Sequence, residues 1–481
     1  MYAYFPRFGR NASPRSIATL PSCEQCQWDH TAKMGKIANQ NTRGSPISSQ
    51  NIPLPPKSKT SQSSIGLLTL ICLIVGNMIG TGVYVGSYYS LLALRDARLV
   101  MMVWFIGGLH ALCGALAYGA VAKRLPVSGG EYSYLSRCVH PAIGFIAGWI
   151  SIIAGFTAPI AASGLLLGRY LLSTVSGTED ANSNETYIRL IATAAILVAA
   201  LLHACHLKVG TTFNSIVIAI KFVCFAIFLA VGIPFLFHSM SDGILIDPAN
   251  TEVVNSIGAR LLEPKTQLSM LIQLFYISLA YTGFNASIYL AGQVSRDETG
   301  SVKRNIVSRS MWMSCLLVML IYLMLNLVFL YGLSPEKIVQ AGENFVVAVA
   351  ENVGGASLSL VIRVAIILST ATSILAMMAT GPMVYAQMAE DGRLPQFFRT
   401  ANEVPRIPIL VQAILSCTVV WFSTIEDIIG YLGLTLTACG ALAVSSVWIA
   451  KKGLLDSDPI RLYEHFATAI YVGGAILFLL V

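Results

Sequence analysis

The chain has 481 residues, 55% of them hydrophobic and 11% charged, with a net charge of +7 and a mean hydropathy of +0.68. Soluble domains carry about 25% charged residues, so this composition excludes an ordinary soluble enzyme or binding module. It points to an all-α polytopic membrane protein, and the sequence then has to say where the chain crosses and what interrupts the crossings.

Residues 1–63 differ in kind from the rest: they are rich in Ser, Pro, Asn and Gln and lack an apolar run that could form a signal-peptide core. They read as a disordered cytoplasmic tail. Within them Cys23 and Cys26 form a single CEQC pair with His30 nearby, which is short of a metal or redox set.

From Ser64 onward, apolar runs of spanning length recur; a crossing helix needs about 20 such residues. Eleven spans are expected, over Ser64–Ser90, Leu99–Ala122, Ala142–Val175, Ile188–His203, Thr212–Phe237, Gln267–Ala291, Ile306–Tyr331, Leu358–Gly381, Ile407–Phe422, Asp427–Ala450 and Phe466–Val481. The third is too long to stand straight and calls for tilt.

The first span contains GNMIGTG, with Gly76, Gly80 and Gly82 in seven residues. Glycines are poor material for an unbroken helix, and an unpaired backbone group in hydrocarbon costs several kcal/mol. Such a break survives where protein or a polar ligand satisfies it. Close helix packing is the competing reading, because Gly76 and Gly80 also make a GxxxG pattern.

In the second span His110 is either a titrating group or a packing residue. In the fifth, Lys221 lies mid-span between VIAI and FVCF. An intramembrane lysine costs ~3 kcal/mol or more and is by default a functional residue, unless it reaches an interface or a wet cavity. The sixth span reads LAYTGFNASIYLAG and puts Tyr281, Thr282, Gly283 and Asn285 mid-membrane. Ser369 and Ser373, one helical turn apart in the eighth, are candidate partners for Lys221 or small packing residues. Glu131 and Arg393, in loops on one side, are candidates to pair as an inner gate.

The two interrupted spans lie roughly 200 residues apart, and each opens a set of five spans. Broken helices at matching positions of two inverted repeats mark a secondary transporter with its site at the midplane. The repeats are expected at 64–237 and 267–450, with a further span in 451–481. Lys and Arg concentrate in the tail and in alternate loops, from Lys123 and Arg124 to Lys451 and Lys452. That asymmetry places the N-terminus in the cytoplasm and accounts for the net charge without nucleic acid. A cell-membrane location follows.

Four segments carry a family resemblance in the expected order. GNMIGTGVY, KRLPVSGGEYSYL (Lys123–Leu135), LAYTGFN and GPMVYAQMAEDGRLP (Gly381–Pro395) resemble signatures of the amino acid–polyamine–organocation superfamily. The L-amino acid and cationic amino acid transporters are the most similar subgroups. The resemblance implies a five-plus-five inverted-repeat fold and an amino acid substrate held at the two breaks; the sequence holds no nucleotide-binding P-loop and no convincing metal cluster, so no cofactor and no metal are expected. The resemblance places substrate contacts at Met78, Ile79, Gly80, Thr81, Gly82, Leu279, Ala280, Tyr281 and Thr282. Main-chain chemistry agrees: N–H groups at Gly80, Thr81 and Gly82 can face a carboxylate at a helix N-terminus. Carbonyls at Met78, Leu279, Ala280 and Thr282 can accept from an ammonium group.

The resemblance also gives Lys221 a role, that of an ammonium replacing sodium, with Ser369 and Ser373 beside it. If that ammonium gives up its proton during the cycle, transport couples to protons. If it stays charged, the chain is an exchanger with a fixed cation. Leu279 stands where relatives often carry an aromatic gate. The family commonly has twelve spans. Relatives that pair with a single-span glycoprotein carry a cysteine in the loop before the fourth span. Thr178–Tyr187 has none, so no disulfide-linked heavy chain is expected. A channel or a transport-inactive amino acid sensor are the alternatives from other classes.

Overall fold

A computed structural model describes residues 65–176, 185–205, 207–241, 263–294, 304–400, 404–423, 425–450 and 459–480. The N-terminal tail with its CEQC pair and the Thr178–Asn184 loop lie outside these residues.

The described chain is helical, with one isolated parallel bridge between Ile65 and Val294. The first span is two helices, α1 (Leu67–Met78) and α2 (Gly82–Leu94), followed by α3 (Ala97–Arg124) and the short α4 (Gly130–Cys138). The Asp96 carboxylate caps α3 by accepting from the Arg98 amide at 2.9 Å, and Lys123 and Arg124 fall in its last turn, where cations oppose the helix dipole. The third span runs from α5 (Pro141–Ile150) through a π-helical turn (Ser151–Thr157) into α6 (Ala158–Ser176). Its excess length is thus taken up partly by an overwide turn.

Helices α7 (Glu185–Cys205) and α8 (Leu207–Ser241) form the fourth and fifth spans. The sixth is α9 (Pro264–Ala280), a turn over 281–285, and a 3₁₀ helix (Ala286–Gln293). Then come α10 (Arg304–Tyr331), the short α11 (Pro335–Ala341) and α12 (Phe345–Thr380). α12 bends at Gly354 and at Gly355, whose φ is +68°, so the eighth span is preceded by a helical segment absent from the sequence reading. After α13 (Pro382–Glu390), α14 (Arg406–Phe422), α15 (Ile425–Ile449) and α16 (Leu462–Leu480) complete the described fold. Among the described residues eight helical stretches are long and apolar enough to cross a membrane; Arg406–Phe422 and Gly433–Ile449 are shorter apolar helices.

The first broken span sits inside the bundle, and the second packs against it through Gln273 and Ile277, the buried residues of α9. α1 packs against α8, α10 and α12, α9 against α2 and α3, and α3 lies along α10. Small residues permit this closeness. Gly76 faces Asn214 and Ile218 of α8, and a Cβ on Gly82 would stand 2.6 Å from Ala280 Cβ.

The face of the bundle where α1 begins, called the near face below, is tied together by polar contacts. Ile65 donates its amide to the Gln293 carbonyl (3.2 Å), and the Gly292 amide donates to Ser128 Oγ (2.9 Å). Glu131 does not pair with Arg393. Its carboxylate is buried and accepts from Tyr118 (2.9 Å), Asn285 (2.6 Å) and Tyr289. The pairing expectation failed because α4 turns Glu131 inward, towards donors on α3 and the sixth span. Arg137 and Tyr132 instead meet Asp391, at 3.7 and 2.9 Å. Burial first, then the hydrogen bond to Asp391 and its charge, pushes the Tyr132 phenol above its ordinary range, so it remains the donor at neutral pH.

Candidate substrate site

The breaks in α1–α2 and α9–3₁₀ meet where Gly82 touches Ala280. At the first, Ile79 leaves the helical region (φ −83°, ψ 80°) and Thr81 opens α2. The Gly80 amide turns back onto the Met78 carbonyl at 3.0 Å. The unspent donors are therefore the amides of Thr81, Gly82 and Val83, which have no backbone carbonyl partner among the described residues. The Thr81 hydroxyl makes no capping bond, and Thr81 and Gly82 are half-buried. Gly80 acts through its size instead: a Cβ there would lie 3.1 Å from Ser373 Oγ.

At the second break the expected carbonyls divide. Fully buried Tyr322 of α10 donates to the Met78 carbonyl at 2.7 Å and stands 3.3 Å from that of Ala280. The Leu279 carbonyl accepts from the Thr282 hydroxyl (2.7 Å) and amide (3.1 Å). The Thr282 carbonyl has no donor among the described residues, and Thr282 is exposed. Gly283, at φ +97°, makes the reversal after it, against Asn77.

Tyr281 contributes no side chain to this space. It is fully buried against Trp104 and Tyr322, and its hydroxyl donates to the Trp104 carbonyl at 3.2 Å. The Leu279 side chain reaches across to Gly433 of α15. His110 stacks on Tyr471 at 4.9 Å and packs there.

Helix ends give the site its electrostatic form. The N-terminus of α2 presents free N–H groups and the positive end of its dipole, while α1 and α9 both end here with their negative ends. An anion and a cation a few ångströms apart, as in a zwitterion, match this pattern without charged side chains.

Lys221 of α8 is fully buried beneath the first break. Its Nζ donates to Thr372 Oγ1 at 3.0 Å and to the Ile79 carbonyl at 3.4 Å. Neither Ser369 nor Ser373 is its hydrogen-bond partner: Ser369 pairs with Tyr84 (2.8 Å) and donates to the Ala365 carbonyl (2.7 Å). The side chain thus ties the unwound segment to α12 through Thr372, one of the residues between the two serines. Thr372 and Tyr322 were missed in the sequence because each looks like ordinary filling of an apolar helix. The one available signal for Thr372 was its place in the polar run STATS.

A model of the family described as "Amino acid permease" matches residues 65–481. The chain belongs to the amino acid permease family. It is a multi-pass membrane transporter, not an enzyme. Among its relatives, the serine/threonine exchanger SteT of Bacillus subtilis (strain 168) is 25% identical over 334 residues, 69% of this chain and 70% of that one. The large neutral amino acids transporter small subunit 2 of Mus musculus is 24% identical over 375 residues, 77% of this permease and 67% of the relative. The b(0,+)-type amino acid transporter 1 of Mus musculus is 26% identical over 287 residues, 59% and 54% of the two chains.

In this permease Tyr322→Phe is expected to release the Met78 and Ala280 carbonyls and loosen both breaks. One buried hydrogen bond is worth about 1 kcal/mol, so substrate affinity should fall about fivefold with folded yield unchanged. Equal affinity in the two proteins would show that the hydroxyl does not hold the site.

Proposed function

We propose that this permease moves L-amino acids across the cell membrane by alternating access, without sodium, and that protons are the coupled ion. The observation that carries this reading is the meeting of two broken spans, with unspent N–H groups of Thr81, Gly82 and Val83 opposite the carbonyl ends of α9. The α-carboxylate would sit on those amides and the Thr81 hydroxyl. The α-ammonium would face the Thr282 carbonyl and the negative ends of α1 and α9. Substrate side chains would extend towards Leu279 and Gly433.

The Lys221 ammonium, bonded to the Ile79 carbonyl, occupies a place where a metal cation would otherwise bridge the break to α12. It supplies the charge that makes sodium unnecessary, and its proton is the one exchanged in coupling. The two repeats, 64–237 and 267–450, would rock about this site, with the N-terminus in the cytoplasm. No disulfide-linked heavy chain is required.

Exchange is the second reading, favoured by the similarity to a serine/threonine exchanger. Purified permease in sodium-free proteoliposomes, given a labelled amino acid mixture, separates the two. Proton symport predicts accumulation in empty vesicles when the inward proton gradient is imposed. Uptake only into amino-acid-loaded vesicles, indifferent to the gradient, would make it an exchanger with Lys221 as a fixed cation. Binding with no flux in either arrangement would leave a sensor.

A further inference from the structure

On the near face, away from the breaks, the end of α3 meets the beginnings of α10 and α16 around a cavity of about 210 Å³. Its charges are unbalanced. Lys123, Arg309 and Arg461 line it against a single carboxylate, Glu464. That carboxylate is already committed: it holds Arg124 at 2.8 Å and Lys123 at 3.3 Å and accepts from the Arg461 amide at 3.0 Å. Arg309 and Arg461 have no carboxylate within salt-bridge distance among the described residues. The Arg124–Glu464 pair, buried on both sides, fixes the walls, while the two remaining guanidinium groups face the space. Asn305 and Ser308 add neutral polar groups.

The rest of the lining, Leu116, Trp312 and Tyr463, is aliphatic or aromatic, and Trp312 and Tyr463 lie on the exposed surface of the bundle. Trp312 and Leu116 form one wall. Below Trp312, Leu316 and Leu320 continue at helical spacing on the same exposed stripe of α10. Phe466 and Ile470 are exposed on α16 beneath Arg461. A tryptophan beside cations, with an exposed aliphatic stripe beneath, is the arrangement found at a headgroup boundary. A soluble anion would have no use for the stripe; a phospholipid uses both parts.

We propose that this cavity binds the phosphate of an anionic phospholipid, with Arg309 and Arg461 on the phosphate and an acyl chain along Trp312, Leu316 and Leu320. A lipid seated there would clamp α10 and α16 to the end of α3. Basic pockets between spans are built for such headgroups, each nearby cation adding about fivefold in affinity.

The test uses full-length permease in mild detergent, titrated with phosphatidylglycerol or phosphatidylcholine. Retained lipid is counted by native mass spectrometry and stability is followed by thermal unfolding. The wild type should retain phosphatidylglycerol preferentially and unfold at higher temperature with it. Arg309→Gln and Arg461→Gln should each weaken retention about fivefold, and the double variant more than tenfold. Both side chains are exposed, so the variants should fold. Arg393→Gln, a cation lost from the same face outside the cavity, should change nothing. Equal retention of phosphatidylcholine, or an undiminished preference in the double variant, would overturn the proposal. Stabilisation by millimolar inorganic phosphate with no lipid retained would overturn it too, in favour of a soluble-anion pocket.

Discussion

Gly82→Val is expected to lower substrate affinity by roughly a hundredfold while leaving the permease folded. A Cβ at this position would lie 2.6 Å from the Ala280 Cβ and 2.7 Å from its Cα. The second atom belongs to the main chain, so no rotamer change on the neighbour relieves the clash; one broken span must move from the other. The movement carries the Gly82 and Val83 amides out of line with the carboxylate they are proposed to bind. Hydrogen bonds to a charged group are worth about 1.5–3 kcal/mol each, and losing two at the lower end of that range gives roughly a hundredfold. Monodisperse protein that binds a labelled amino acid with wild-type affinity would show that the carboxylate is held elsewhere.

Lys221→Ala is expected to cut uptake more than tenfold and to abolish what response to a proton gradient remains. Truncation strips the Ile79 carbonyl and Thr372 Oγ1 of their shared donor. It also removes a cation from a place the fold surrounds completely. The unwound segment then loses its tie to α12, so the loss should fall on transport and coupling together. Lys221→Arg should not restore it, because a planar guanidinium cannot take the place of a compact ammonium in a closed space. Uptake by Lys221→Ala with an unaltered pH dependence would remove the residue from the coupling mechanism. Sodium dependence acquired by the variant would strengthen the replacement argument.

The breaks were legible in the sequence because glycine and polar residues are costly in an apolar span, so GNMIGTG and LAYTGFN stood out against their surroundings. Lys221 was legible for the same reason. The GxxxG packing of Gly76 and Gly80 and the break of the glycine-rich run are both seen, since Gly76 lies against α8 and Gly80 against Ser373 while the helix stops at Met78. What was not legible depends on which neighbour reaches which atom. No pattern in LIYLML announces that Tyr322 will cross to the Met78 carbonyl, and so three of the four acceptors assigned from the sequence are already occupied within the fold. The pairing of Lys221 with Thr372 rather than with Ser369 or Ser373 turns on the rotation of α12, about 100° per residue. Glu131 looked like a loop residue because it follows two glycines, yet those glycines, both at positive φ, are what fold α4 inward and bury it. The bend at Gly354 and Gly355 was hidden in an apolar run continuous with the eighth span.

If the two helix breaks form one amino acid site open to transport, the permease must select substrate by its α-carboxylate and its handedness. Uptake of labelled L-amino acids into sodium-free proteoliposomes, measured for the wild type beside Gly82→Val, reads this selection. The wild type should show saturable uptake, blocked by the free L-amino acid but not by its D-isomer or carboxyl ester, and the variant near-background flux. Non-saturable flux, or uptake inhibited equally by the ester, would mean that the breaks do not hold the substrate carboxylate.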